Sequence, residues 1–166
     1  ESRRIMDMEI ERLTSYQGAD GGWGYYDFDH KASRPSGLLS TSFMTGAALV
    51  ALQRASEAGA KVPPSLVSGG FRNLDELRLG NGAYIYGIYL RQDPQASVSK
   101  PEGCLSRTQA ALAGLQAHRR IQDPQEISRS LENFLTKHHF LEAARGKPHP
   151  HESYYSNAGY YYFFGH

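Results

Sequence analysis

A single cysteine, Cys104, leaves this chain of 166 residues without an internal disulfide, and a lone thiol does not fix a compartment. A dominant sign of charge is missing too. The 18 Lys and Arg stand against 17 Asp and Glu, a net charge of +1. That gives no electrostatic case for nucleic acid or an anionic membrane surface as a partner. No apolar run approaches the roughly 20 residues of a spanning helix, so no membrane span is expected. No signal-peptide pattern is visible, and the first residue is Glu1 rather than Met. The expectation is a piece of a longer protein whose localisation the sequence leaves undetermined. What remains is ordinary: 40% hydrophobic and 21% charged residues, the balance of a globular domain long enough to bury a sizeable core.

Tyrosine is the abundance that organises the rest. There are 11, and apart from Tyr16 they fall in three groups: Tyr25 and Tyr26; Tyr84, Tyr86 and Tyr89; and Tyr154, Tyr155, Tyr160, Tyr161 and Tyr162. Three clusters at similar intervals suggest three copies of one unit. The sharpest is Asp20-Gly21-Gly22-Trp23-Gly24-Tyr25, preceded by Gln17. At an offset of 61, Asn81-Gly82-Ala83-Tyr84-Ile85-Tyr86 repeats its order in weaker form.

Helical periodicity frames both. Glu1 to Tyr16 reads as an amphipathic helix with Ile5, Met6, Ile10 and Leu13 on its apolar face. Gln17 to Leu39 reads as a loop rich in Gly, Asp, Ser and Pro; a loop that long is functional or packed on its own aromatics. Ser40 to Ala58 reads as an Ala-rich helix with charge only at Arg54 and Glu57, so burial on all sides is expected. Gly59 is its stop and Pro63-Pro64 the restart. In the second unit, Pro64 to Leu77 is amphipathic although Gly69-Gly70 weakens it, and Leu105 to Ile121 is again Ala- and Leu-rich. Thr108 to Leu115 aligns with Ser42 to Leu49 at an offset of 66, which places an insertion in the second loop.

The third unit opens on Asp123 as N-cap, with Pro124 in the first helical position and Glu126 completing a capping box. Ile127, Leu131, Phe134, Leu135 and His138 share a helical face. A polar loop, Glu142 to Glu152, leads to Tyr160-Tyr161-Tyr162-Phe163-Phe164-Gly165-His166, read as the first turns of another buried helix. Each unit is then an outer amphipathic helix, a Gly/aromatic loop and an inner apolar helix. One such hairpin cannot cover its inner helix alone, so units must stack. The expected fold is all-α: helical-hairpin repeats over residues 1–58, 63–121 and 123–166, forming an α/α toroid or an arc of one.

Gln17-x-x-x-Gly21-x-Trp23 resembles the tail of the repeat signature of squalene and oxidosqualene cyclases. With the Ser/Thr and Ala/Leu helix that follow, the whole pattern resembles the prenyltransferase and squalene oxidase repeat family. The resemblance covers essentially the whole chain and is most specific in unit one. In unit two Arg78, Gly82 and Tyr84 stand where Gln, Gly and Trp would. It implies a terpenoid-cyclase-like α/α toroid and an isoprenoid or other apolar ligand.

The family's catalytic residues do not carry over. For the Asp-x-Asp-Asp acid of triterpene cyclases the chain offers only Asp27-Phe28-Asp29-His30, on a loop. For the zinc site of protein prenyltransferases, Leu38 or Cys104 falls at the Asp place and Ser40 or Ser106 at the Cys place, which makes no zinc set. Pro101-Glu102-Gly103-Cys104 leads toward the Cys-Gly-Glu-Gln of thioester proteins, but Leu105-Ser106-Arg107 follows. No metal and no cofactor are expected.

The candidate ligand residues are Trp23, Tyr25, Asp27, Asp29, Tyr84, Tyr86, Tyr160, Tyr162 and His166. The aromatics could line a cavity wall, or wedge between helices and brace the unit. Asp27 and Asp29, with His30, could bind a metal or act as acid and base, or simply be solvated. Asp20, before two glycines, fits a side chain bonded to its own turn. His149 and His151 lack a carboxylate or Cys at ligand spacing. Two functional readings follow. The first is a catalytically incomplete toroid segment that binds something in its cavity or serves as a structural part. The alternative is a part of a triterpene cyclase or isoprenoid transferase whose catalytic residues lie outside this segment. Three units of a ring leave an apolar side open, so self-association or packing with missing repeats is expected.

Overall fold

The computed structural model describes residues 1–26, 35–88, 101–121 and 123–136. In chain order the elements are α1 Ser2–Ser15, β1 Gly24–Tyr26, β2 Pro35–Ser40, α2 Ser42–Glu57, α3 Pro64–Leu77, α4 Pro101–Ala117 and α5 Pro124–Thr136. The described residues are mostly helical, in line with the all-α expectation. Asp27, Asp29, His30, Tyr160, Tyr162 and His166 all lie outside them.

The two strands correct the reading of 17–39 as loop. They pair antiparallel, Gly24 with Ser40 and Tyr26 with Pro35, with an irregular register between. Adjacent aromatics at 25 and 26 suit a pleated surface. The Thr41 N–H donates to the Trp23 carbonyl at 2.9 Å, which sets where α2 begins.

Most helix ends obey their sequence signals. Thr41 caps α2 by accepting the Met44 N–H, and Gly59 at φ +87 closes it. The Pro63-Pro64 restart opens α3. The start of α5 departs from the expected reciprocal box. Asp123 Oδ1 accepts the Gln125 N–H at 2.9 Å, but the Glu126 carboxylate turns to Arg78 at 2.6 Å. A guanidinium is the stronger partner for a carboxylate than a backbone N–H.

Packing centres on α2, which lies against α4 most extensively and against α3 next; α4 packs in turn on α5, and α1 touches α2 lightly. One cluster of buried side chains, with Ile10, Trp23, Leu52 and Leu66, sits among α1, α2 and α3. A second, with Leu49, Leu74, Leu77, Tyr84, Leu112 and Leu115, sits among α2, α3 and α4. Three sequence faces are narrower than expected. Ile5 on α1 and Leu131 and Leu135 on α5 are exposed, because each outer helix meets its neighbour along one line. On α2, Ala47 and Ala51 are exposed as well, so that helix is not buried on all sides.

The α2–α4 crossing is unusually close. A methyl added at Gly46 would run into the Ala110 carbonyl, and one at Gly114 would stand 2.7 Å from the Gly46 oxygen. Only small residues let two helix backbones approach this far.

Candidate functional site

The first Gly-rich turn is a knot of side-chain bonds. Gln17 Nε2 donates to the Gly21 carbonyl and to the Leu66 carbonyl of α3, both at 2.8 Å. Asp20 Oδ1 accepts the Gly22 N–H at 3.2 Å and the Ser40 hydroxyl at 2.6 Å, so Asp20 holds its own turn, as expected of an Asp before two glycines. Gly21 sits at φ +86, and a Cβ there would strike the backbone of Gly69. The Gly69-Gly70 pair that weakens α3 as a helix is what lets the turn lie directly on it.

From this turn Trp23 is fixed at two points. Its N–H donates to Thr45 Oγ1 at 3.1 Å and its indole Nε1–H to the Leu13 carbonyl at 2.9 Å. The Thr45 hydroxyl donates onward to Asn73 Oδ1 at 2.9 Å, joining the turn to α2 and α3 in one buried chain of bonds.

The second turn has the same geometry. Gly18 N–H to Gly22 O and Gly21 N–H to Gly18 O recur as Leu79 N–H to Ala83 O and Gly82 N–H to Leu79 O, within 2.8–2.9 Å in all four. Asn81 Oδ1 accepts the Ala83 N–H at 3.0 Å where Asp20 accepts that of Gly22. Gly82 is at φ +82. The Tyr84 N–H donates to Thr108 Oγ1 at 3.1 Å, as Trp23 does to Thr45.

The pairing of Thr45 with Thr108 corrects the sequence alignment of α2 on α4. The equivalent offset is 63, not 66, and it superposes Thr45-x-Ala47-Ala48-Leu49-x-x-Leu52-Gln53 on Thr108-x-Ala110-Ala111-Leu112-x-x-Leu115-Gln116. The offset of 66 matches Leu49 to Leu115 at the cost of both threonines.

Around α5 the second turn diverges. Aligned at 60, α3 and α5 share Pro64/Pro124 and Asn73/Asn133, but Arg129 and Ser130 replace Gly69 and Gly70. Nothing lies within 4 Å of a Cβ built at Gly82. A polar cleft of about 430 Å³ opens there, bordered by Arg78, Asn81, Glu126, Arg129 and Asn133.

The candidate residues separate into two kinds. Tyr84 is 1% exposed and belongs to the core; burial raises its phenol well above the ordinary value, with Arg78 opposing the shift. Trp23 is buried as well, whereas Tyr86 is half-buried and Tyr25 exposed. Tyr25, Phe43 and Tyr86 form a triangle with ring centroids 6.0–6.4 Å apart. The buried Arg107 guanidinium stands over Tyr86 at 5.6 Å. Cys104 is fully buried near it, 3.6 Å from Arg107 Nη2.

Trp23 and Tyr25 also line an apolar groove of about 510 Å³ between α1 and α2, with Leu13, Phe43, Met44, Ala47 and Ala51 among its walls. Sequence reading missed Phe43, Met44 and the two alanines because it took α2 as buried all round. The signal was present in the alignment at 63. Arg107, a fully buried charge on α4, also went unread. Among the described residues no group of three or more His, Cys, Asp or Glu could hold a metal ion, and no helix is long and apolar enough to cross a membrane.

No family model, no curated protein and no solved structure matches this chain.

Proposed function

We propose that this chain is a stack of helical hairpins, an arc of an α/α toroid, that works as a binding and scaffolding module through the groove between α1 and α2. The observation that carries the reading is the turn built twice. Two short segments with only one Gly and one Tyr in common repeat the same two backbone bonds, the same Asx bond and the same bond to an inner-helix threonine. That recurrence is what stacked hairpins require. The resemblance to the prenyltransferase and squalene oxidase repeat family, drawn from the Gln17/Gly21/Trp23 spacing, points the same way. The groove is the apolar surface such a stack leaves open, and its aromatic walls suit an apolar occupant.

The second reading is a part of a triterpene cyclase or isoprenoid transferase, favoured by the Tyr25–Phe43–Tyr86 triangle, whose ring faces suit a hydrocarbon chain or a developing cation. One titration tests the binding role. Trp23 is the only tryptophan and lines the groove, so its emission reports occupancy. Saturable change with farnesol or with an apolar helical peptide supports the role; silence to both, in protein shown folded by circular dichroism, refutes it.

A further inference from the structure

Resting on that reading, we infer that the groove is shaped for an α-helix with glycine at the crossing, the inner helix of a further hairpin of this kind, rather than for a flexible hydrocarbon. The argument is one of register. Because Thr45 and Thr108 receive the same bond from their turns, α2 and α4 correspond at an offset of 63. Under that offset Ala47, Ala48 and Ala51 of α2 are the counterparts of Ala110, Ala111 and Gly114 of α4. Those three α4 residues are the ones set against the Gly46 backbone: a Cβ on Gly46 would meet Ala110 and Ala111, and a Cβ on Gly114 would meet Gly46.

Their α2 counterparts lie along the groove, with Ala47 and Ala51 exposed in it. The chain therefore contains the interface twice, once closed by α2 and once open. The open copy continues the closed one, since the same helix that offers Gly46 to α4 on one side offers the α4-like alanines on the other. The fit is to a helix presenting what α2 presents at Gly46. One polar tie of the closed copy is missing from the open one. His118 Nε2 lies 2.9 Å from the Leu49 carbonyl, and Ala55 stands at the His118 place on α2. The docked helix therefore lacks that tie and is held less firmly than α2 and α4 hold each other.

The test uses a synthetic peptide of residues 41–58, which contains no tryptophan, titrated into the whole chain while Trp23 emission is read. A Gly46→Val peptide and an Ala51→Phe protein are the controls; Ala51 is exposed, so that variant keeps its fold, as circular dichroism will check. The expected result is saturable binding of the parent peptide, at least tenfold weaker binding of the Val peptide, and none to Ala51→Phe. Equal binding of both peptides overturns the inference, as does unchanged binding to Ala51→Phe. A response to farnesol with none to the peptide also overturns it while leaving the binding role intact. Silence to both removes that role as well.

Discussion

Replacing Thr45 by Val tests the joint on which the first turn depends. The two side chains have nearly the same volume, so the change opens no cavity and removes only the hydroxyl. That hydroxyl accepts the Trp23 N–H at 3.1 Å and donates to Asn73 Oδ1 at 2.9 Å, and Thr45 and Asn73 are 0% and 1% exposed. Both partners lose their bond inside the protein. An unsatisfied buried polar group costs about 1–3 kcal/mol, so the pair should cost about 2–6 kcal/mol.

Thr108 receives the Tyr84 N–H in the same way, but its counterpart partner Asn133 is exposed. Thr108→Val should therefore cost about 1–3 kcal/mol. For a chain of this size each kcal/mol lowers Tm by about 2–4 °C. Thermal and urea unfolding followed by far-ultraviolet circular dichroism would rank the variants, with Thr45→Ser as the control that keeps the hydroxyl. Wild-type stability in Thr45→Val, or a larger loss in Thr108→Val than in Thr45→Val, refutes the reasoning.

Other perturbations separate backbone strain from packing and from charge. Gly21→Ala and Gly82→Ala both place a side chain at positive φ, costing about 1–2 kcal/mol, but only Gly21 faces the Gly69 backbone; unfolding midpoints should fall at least twice as far for Gly21→Ala. Gly46→Ala gains about 1 kcal/mol of helix propensity yet drives a methyl into the Ala110 carbonyl, so a net loss of stability is expected, and a more thermostable variant would contradict the close crossing. Tyr84 has its phenol raised, chiefly by burial. It stays protonated in the fold while the unfolded chain ionises near pH 10, so its contribution is whole below that pH and declines as pH rises above it. Tyr84→Phe should flatten the alkaline fall in stability, and an unchanged slope would contradict the assignment.

How much of this was legible in the sequence depends on how local the cause was. The helix of residues 2–15 and the Pro64 and Gly59 boundaries follow from caps and periodicity, which act over one or two turns. The Asp-Gly-Gly and Asn-Gly-Ala segments were readable as one turn because an Asx side chain bonding two residues on, with Gly at positive φ, is written in adjacent letters. The strand pairing of Gly24 with Ser40 was not readable, because it joins residues across a loop. The register of α2 on α4 was misread at 66 because two Ala/Leu helices match at several offsets. Only the long-range bonds to Thr45 and Thr108 choose among them. The groove was hidden by the same error: an alanine on an apolar helix looks buried until its counterpart is known to be an interface.

The two turns also bear on what the resemblance rests on. Gln17 and Trp23 are the letters that suggested it, and both differ in the second turn, where Arg78 and Tyr84 stand. The geometry persists regardless. Gln17 ties the first turn to α3 through the Leu66 carbonyl. Arg78 ties the second to α5 through Glu126, which occupies the Leu66 place when α5 is aligned on α3. One link is a neutral bond to a backbone carbonyl and the other an ion pair with the carboxylate mostly shielded, and each ties its turn to the helix in the corresponding place, α3 or α5. What is identical between the turns is smaller and less conspicuous: an Asx side chain, a glycine at positive φ and a threonine on the following helix. Those three fix the backbone, and the residues around them are free to change what the turn faces. Gly69 and Gly70 close the first turn onto α3, while their α5 counterparts Arg129 and Ser130 border the open cleft beside the second. A search for this architecture should therefore weight the Asx-Gly pair and the distant threonine above the glutamine and the tryptophan.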